Sequence, residues 1–205
     1  MPGYNAVHAV FSTNFGSVDR SFKIDGKRFD IPAGVAHFLE HKMFENEDGD
    51  AFEKYAKTGA NANAFTSFDK TCYIFTATEN VDESLDILLD FVTKPYFTPQ
   101  TVQKEMGIIG QEIKMYDDSA NWRMLFGLLE GLYVNHPVRD DIAGTVESIA
   151  EIDDKLLYDC ARGFYSPSQM ILCVAGNITT EQVLAACQRA GFTSDVADVE
   201  RIRPE

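Results

Sequence analysis

The chain has 205 residues, 45% of them apolar and 24% charged, a composition that excludes the disordered and fibrous classes. Eighteen Lys and Arg stand against 32 Asp and Glu, a net charge of −14, so no cationic surplus exists to neutralise a phosphate backbone and nucleic acid is excluded as a partner. A chain of this size buries roughly 70% of its unfolded surface, enough to form a core without metal or disulfides, so a metal would be functional rather than structural.

Taken in chain order, residues 7–11 read as an aromatic and β-branched strand. Helical periodicity covers 33–44 and 51–57. After a turn at Gly59, residues 61–66 read as a less hydrophobic strand suited to a sheet edge, and 71–76 as a second apolar strand. Helices follow at 81–92, 99–116, 122–133 and 153–164, then a short strand at 170–174 and a helix at 180–190. Strands early and late with helices between them predict an α+β fold, a mainly antiparallel sheet packed against a layer of helices. No linker or repeat divides the chain, so residues 1–205 are expected to form a single domain.

Cys72, Cys160, Cys173 and Cys187 form no C-x-x-C pair and read as reduced, mostly buried thiols. No apolar run approaches the about 18 residues of a membrane span, and Met1-Pro2-Gly3-Tyr4 lacks the basic and apolar parts of a leader. The expected location is the cytoplasm, with no membrane partner.

Two helices bury residues that a core would reject. The first, at 33–44, follows Pro32 and is apolar nearly all round, with Val35, Phe38, Leu39, Met43 and Phe44, a pattern that predicts burial. It nevertheless carries His37, Glu40 and His41. At about 100° per residue, Glu40 lies about −60° and His41 about +40° from His37, so all three share an arc of roughly 100°. Two imidazoles and a carboxylate buried together need compensation, and a metal supplies it. Imidazoles four residues apart on one helix can reach one zinc at about 2.0–2.1 Å while the intervening Glu stays beside it. The order His37-Phe38-Leu39-Glu40-His41 is H-x-x-E-H, the inverse of the thermolysin-type motif.

The second helix, at 99–116, opens on Thr98-Pro99, an N-cap followed by an N1 proline. Its apolar arc runs from Met115 and Ile108 through Tyr116, Ile109 and Ile113 to Met106, while Lys104, Gln111 and Lys114 take the opposite face. Glu105 and Glu112 project into the middle of the apolar arc, where a shared cationic centre explains them. Their Cα atoms are about 10.5 Å apart along the axis, so one should ligate and the other support, and periodicity does not say which. The alternative is a structural pairing with a buried arginine such as Arg123.

These two helices, the run Gly59-Ala60-Asn61-Ala62-Asn63-Ala64-Phe65-Thr66, and the segments at 142–149 and 164–170 together resemble the insulinase/pitrilysin family of inverzincin metallopeptidases, and within it bacterial members of the mitochondrial-processing-peptidase type. The resemblance implies one Zn²⁺ per chain, held by His37, His41 and Glu112, with Glu40 activating the water and Glu105 supporting the centre. It also implies that Asn63, Ala64 and Phe65 lie on an edge strand that pairs with the substrate backbone. That agrees with the edge position read above, because a free edge accepts an extended peptide by β-augmentation. Intact members join two homologous halves, the second supplying an Arg and a Tyr near the scissile bond. By resemblance this chain is the N-terminal, catalytic half, the family's C-terminal half is absent from it, and a second homologous half or subunit closes the chamber. The implied activity is zinc-dependent endopeptidolysis of extended peptides. The alternative is a non-catalytic, substrate-binding half of such a complex.

Overall fold

A computed structural model of the chain describes residues 3–192 and 196–203; Met1 and Pro2, part of the start read above for a leader, lie outside them. In chain order the elements are strands β1 (Val7–Thr13), β2 (Ser21–Ile24) and β3 (Lys27–Asp30), helix α1 (Val35–Met43), and the two-residue strands β4 (Glu45–Asn46) and β5 (Gly49–Asp50). Helix α2 (Ala51–Thr58), strands β6 (Asn61–Thr66) and β7 (Thr71–Ala77) and helices α3 (Val81–Thr93), α4 (Pro99–Asp117), α5 (Ala120–Leu132), α6 (Val146–Ile149) and α7 (Asp154–Phe164) follow. Strand β8 (Met170–Gly176), helix α8 (Thr180–Ala190) and strand β9 (Val199–Arg201) complete the chain.

The main sheet has the order β6-β7-β1-β8 and every pairing in it is antiparallel. The expected α+β architecture is therefore present, and 61–66 is an edge strand, as its weak hydrophobicity implied. Strand β7 is central because its residues Thr71, Cys72, Tyr73 and Phe75 can be buried on both faces. Strand β6 alternates instead, with Ala62, Ala64 and Thr66 half-buried and Asn61, Asn63 and Phe65 exposed. Register sets Thr66 opposite Thr71 and Asn63 opposite Ile74.

A second sheet, β3-β2-β9, was not foreseen. Its strands are three or four residues long and carry Lys23, Lys27, Arg28, Glu200 and Arg201, so they lack a hydrophobic signature. An aromatic cluster fastens it: Phe15 stacks on Phe164 at 4.2 Å, and Phe22 meets Phe164 edge-on at 4.8 Å. The cysteine expectation holds in part, since all four are free and Cys72 and Cys160 are buried, but Cys173 is exposed and Cys187 half-buried. Among the described residues no helix is long and apolar enough to cross a membrane.

Helix α1 begins two residues later than its periodicity suggested, because Gly34 caps it in the left-handed region at φ 93°. The cause is a close approach: a Cβ on Gly34 would lie 2.5 Å from the Ala143 carbonyl oxygen, and one on Gly144 2.6 Å from that of Ala33. The Ser148 hydroxyl donates to the same Ala33 carbonyl at 2.9 Å. The 142–149 segment is thus docked onto the start of α1, which fixes where that helix begins. Helix α4 starts where Thr98-Pro99 indicated, with Thr98 and Thr101 forming a reciprocal capping box.

Candidate metal centre

Helix α1 lies on β6 and β7 with α4 across it. Eight of its nine residues are buried, including His37, Glu40 and Lys42. The His37 and His41 rings are 4.7 Å apart at 62°. Opposite them, the seven-residue spacing of Glu105 and Glu112 sets two carboxylates two turns apart on one face of α4. The His41 ring spans that gap, its Nδ1–H donating to Glu105 Oε1 at 2.9 Å and its Nε2 lying 3.4 Å from Glu112 Oε2. His37 Nε2 is 3.7 Å from Glu112 Oε1. One ligand atom from each of His37, His41 and Glu112 can be chosen so that all lie within 4.8 Å of one another. Arg123, the alternative counter-charge, is exposed, and Glu105 and Glu112 find their partners among the imidazoles and Tyr116 instead.

Burial and hydrogen bonding act differently on the four titratable groups. Burial lowers His37 to about 4, with the neighbouring His41 charge adding to the effect. Burial also opposes charge on His41, but the hydrogen bonds to Glu105 and Glu112 outweigh it and raise that imidazole to about 10. The His41 hydrogen bond in turn holds Glu112 down at about 2, against partial burial and with help from Tyr116. Burial raises Glu40 above its ordinary value, opposed by the hydrogen bond from Thr66.

Two of its supports were missed by sequence reasoning. The Thr66 hydroxyl donates to Glu40 Oε2 at 2.6 Å, and the Tyr116 hydroxyl donates to Glu112 Oε1 at 2.8 Å. Tyr116 stacks on Trp122 at 4.7 Å, and the Trp122 indole N–H donates to Asp141 Oδ2. Asp141 Oδ1 accepts the Ala143 N–H at 2.9 Å, and the Ala143 carbonyl is the group packed against Gly34. A closed ring of contacts thus joins Glu112 through α5 and the 141–144 turn back to the start of α1. Only a weak signal was available for it, an aromatic pair flanking the end of α4.

The buried stripe expected on α4 is only partly buried: Ile108 and Met115 are 47% and 61% exposed, and the Glu105 and Glu112 side chains 13% and 21%. Helix α5 leaves Met124, Leu128 and Leu132 exposed. Beside the centre, Asn63, Ala64 and Phe65 lie on the outer edge of β6, which no other strand of the described residues pairs. There the Asn63 side chain accepts the Ala64 N–H at 2.9 Å. Phe65 is 44% exposed.

Zinc fits these donors. Two imidazoles and one carboxylate are a three-ligand set that leaves a fourth position free. The His37 imidazole forms no hydrogen bond among the described residues, and its buried Nδ1 has no partner, a deficit of about 1–3 kcal/mol for an ordinary buried polar group.

The description "Insulinase (Peptidase family M16)" matches residues 25–146. The uncharacterized zinc protease YmfH of Bacillus subtilis is 50% identical over 205 residues, 99% of this chain and 48% of that protein. The "probable mitochondrial-processing peptidase subunit beta" of Schizosaccharomyces pombe is 30% identical over 76% of this chain and 35% of its own length. The crystal structure of an M16-like peptidase from Alicyclobacillus acidocaldarius superimposes with a TM-score of 0.95 at 41% identity, covering 100% of this chain and 49% of that one. The chain spans about half the length of YmfH and of the Alicyclobacillus protein. It belongs to the insulinase family, peptidase family M16.

Proposed function

We propose that the chain is the catalytic half of a zinc endopeptidase that cleaves extended peptides. The observation that carries this reading is the convergence of His37, His41 and Glu112 from two helices, with Glu40 on the same face of α1. Those three residues would hold one Zn²⁺. The metal supplies a Lewis acid for the scissile carbonyl and lowers the pKa of water toward about 7.

The chain's own residues do the rest. Glu105, on His41 Nδ1, fixes the ring so that Nε2 faces Glu112. Glu40, oriented by Thr66 and made more basic by burial, takes a proton from the attacking water and passes it to the leaving amine. The free edge of β6 accepts the substrate backbone, with the Asn63 side chain giving up the Ala64 N–H. A second homologous half or subunit would close over this open site.

The test is cleavage of unstructured peptides by zinc-loaded protein, with Glu40→Gln as the control. Zinc retained and cleavage lost in Glu40→Gln supports the peptidase reading. Peptide processing unaltered by that substitution would establish the non-catalytic, substrate-binding alternative.

A further inference from the structure

To share a metal with His37 and His41, the Glu112 carboxylate has to be held within about 0.5 Å of its working position. Helix α4 alone does not hold it that closely, because most of that helix is not buried. Apart from the imidazoles, the Tyr116 hydroxyl is the one hydrogen-bond partner of the Glu112 carboxylate among the described residues. Tyr116 lies one turn further along α4, so this bond ties Glu112 to its own helix and not to α1.

The tie to α1 runs through Trp122, the only tryptophan of the chain. Its ring stacks on Tyr116 at 18° across the junction of α4 and α5 and meets Phe126, the one buried residue of α5, at 5.0 Å. Its indole N–H donates to Asp141, which serves the following turn twice more: Oδ1 accepts the Ala143 N–H and the backbone carbonyl accepts the Gly144 N–H at 3.0 Å. That turn abuts Ala33 and Gly34 with no room for a Cβ on Gly34 or Gly144. The Gly34 carbonyl in turn accepts the Phe38 N–H at 2.8 Å as α1 begins.

A carboxylate is a costly group with which to brace such a turn. Asp141 is half-buried and belongs to no ion pair among the described residues, and burial raises its pKa against the bonds from Trp122 and Ala143. Asparagine or serine would accept the Ala143 N–H with no charge to desolvate. What a carboxylate adds is a second acceptor oxygen, and here the indole takes it. Trp122 and Ala143 also line the cavity of about 200 Å³ that contains His37 and Glu112, so both ends of this bridge face the candidate metal centre.

We propose that Trp122 and Asp141 are positioning residues for the metal ligand Glu112. The bond between them locks the Tyr116 ring, and through its hydroxyl the Glu112 carboxylate, to the turn that fixes the start of α1, so ligands from two helices are set in place before the metal arrives. The inference rests on the ligand set proposed above. Chelator competition for zinc, which needs no turnover, tests it with the bond cut from either side. Asp141→Ala removes the acceptor, and Trp122→Phe removes the donor while keeping a ring to stack on Tyr116. We expect both to weaken zinc binding by the same factor, about three- to tenfold, as loss of one hydrogen bond gives. Tyr116→Phe combined with Trp122→Phe should weaken it no more than the larger of the two single substitutions, because a bridge opened at one point transmits nothing at another. The midpoint of the competition is read, since loss of folded material lowers only its endpoint. Visible absorption of the Co²⁺-loaded chain adds a signature of ligand geometry that a merely structural bond would not move, and the two cut variants should alter it alike. Zinc midpoints and Co²⁺ spectra unaltered in both cut variants, or losses that multiply in the double variant, overturn the inference and leave the ligand set standing. A loss in Asp141→Ala that Trp122→Phe does not reproduce assigns the effect to the turn alone and also overturns it. An unaltered chain that takes up no zinc, or zinc bound as tightly after Glu112→Gln, overturns the ligand set and the inference with it.

Discussion

The two helices that wall the candidate metal centre do so by opposite means. Helix α1 is buried on nearly every side, and of its nine residues only His41 is not buried. Helix α4 is 19 residues long, and only Val102, Ile109, Gly110 and Ile113 are buried. The first fixes positions, because close packing leaves His37 and Glu40 little freedom to move. The second sets charge, because Glu105 and Glu112 both reach the His41 ring, and the His41 hydrogen bond holds Glu112 down at about 2. The same contrast recurs within α1: the His37 imidazole, buried and without a hydrogen bond among the described residues, is lowered to about 4, while His41, facing α4, is raised to about 10 by its carboxylate partners.

This division of labour can be broken residue by residue. On the proposed ligand set Glu112→Gln exchanges an anionic ligand for a weak neutral one, so zinc affinity in a competitive chelator titration should collapse, the largest effect expected from α4. Glu40→Gln should keep the metal and lose turnover by about 10²–10⁴ in a peptide assay, the usual worth of a general base. Glu105→Gln leaves the three proposed ligands in place and should cost about 10–100-fold in affinity or activity, the range of a residue that orients a ligand. Normal zinc binding in Glu112→Gln together with loss of binding in Glu105→Gln would mean that the two roles are reversed. Tyr116→Phe removes one hydrogen bond to Glu112 and leaves the Trp122 stack, so the same titration should shift by less than about tenfold.

How far each region was legible in the sequence follows from the range of the forces involved. His37, Glu40 and His41 could be placed together because helical geometry alone fixes residues three and four apart. Glu105 and Glu112 stood out as charges on an apolar arc, but which of them approaches which ring nitrogen depends on how α4 crosses α1. Thr66 gave no signal and Tyr116 only the weak one of its aromatic neighbour Trp122, since their hydrogen bonds to Glu40 and Glu112 require the folded arrangement. The main sheet was read from strong apolar runs. The second sheet was not, because β2 and β9 are short, charged and far apart in the chain, and the packing of Phe22 on Phe164 beside them is a tertiary contact. The late start of α1 was hidden for a similar reason: the Ala143 carbonyl that forces Gly34 into its left-handed conformation is more than a hundred residues away in sequence.

The central claim is that His37, His41 and Glu112 together hold one zinc. X-ray absorption at the zinc edge of stoichiometrically loaded protein tests it without requiring activity. We expect one zinc per chain with two imidazole nitrogens and light oxygen scatterers at about 2.0–2.2 Å. Sulfur scatterers, fewer than two imidazoles, or metal that fails to load to near one equivalent would contradict it.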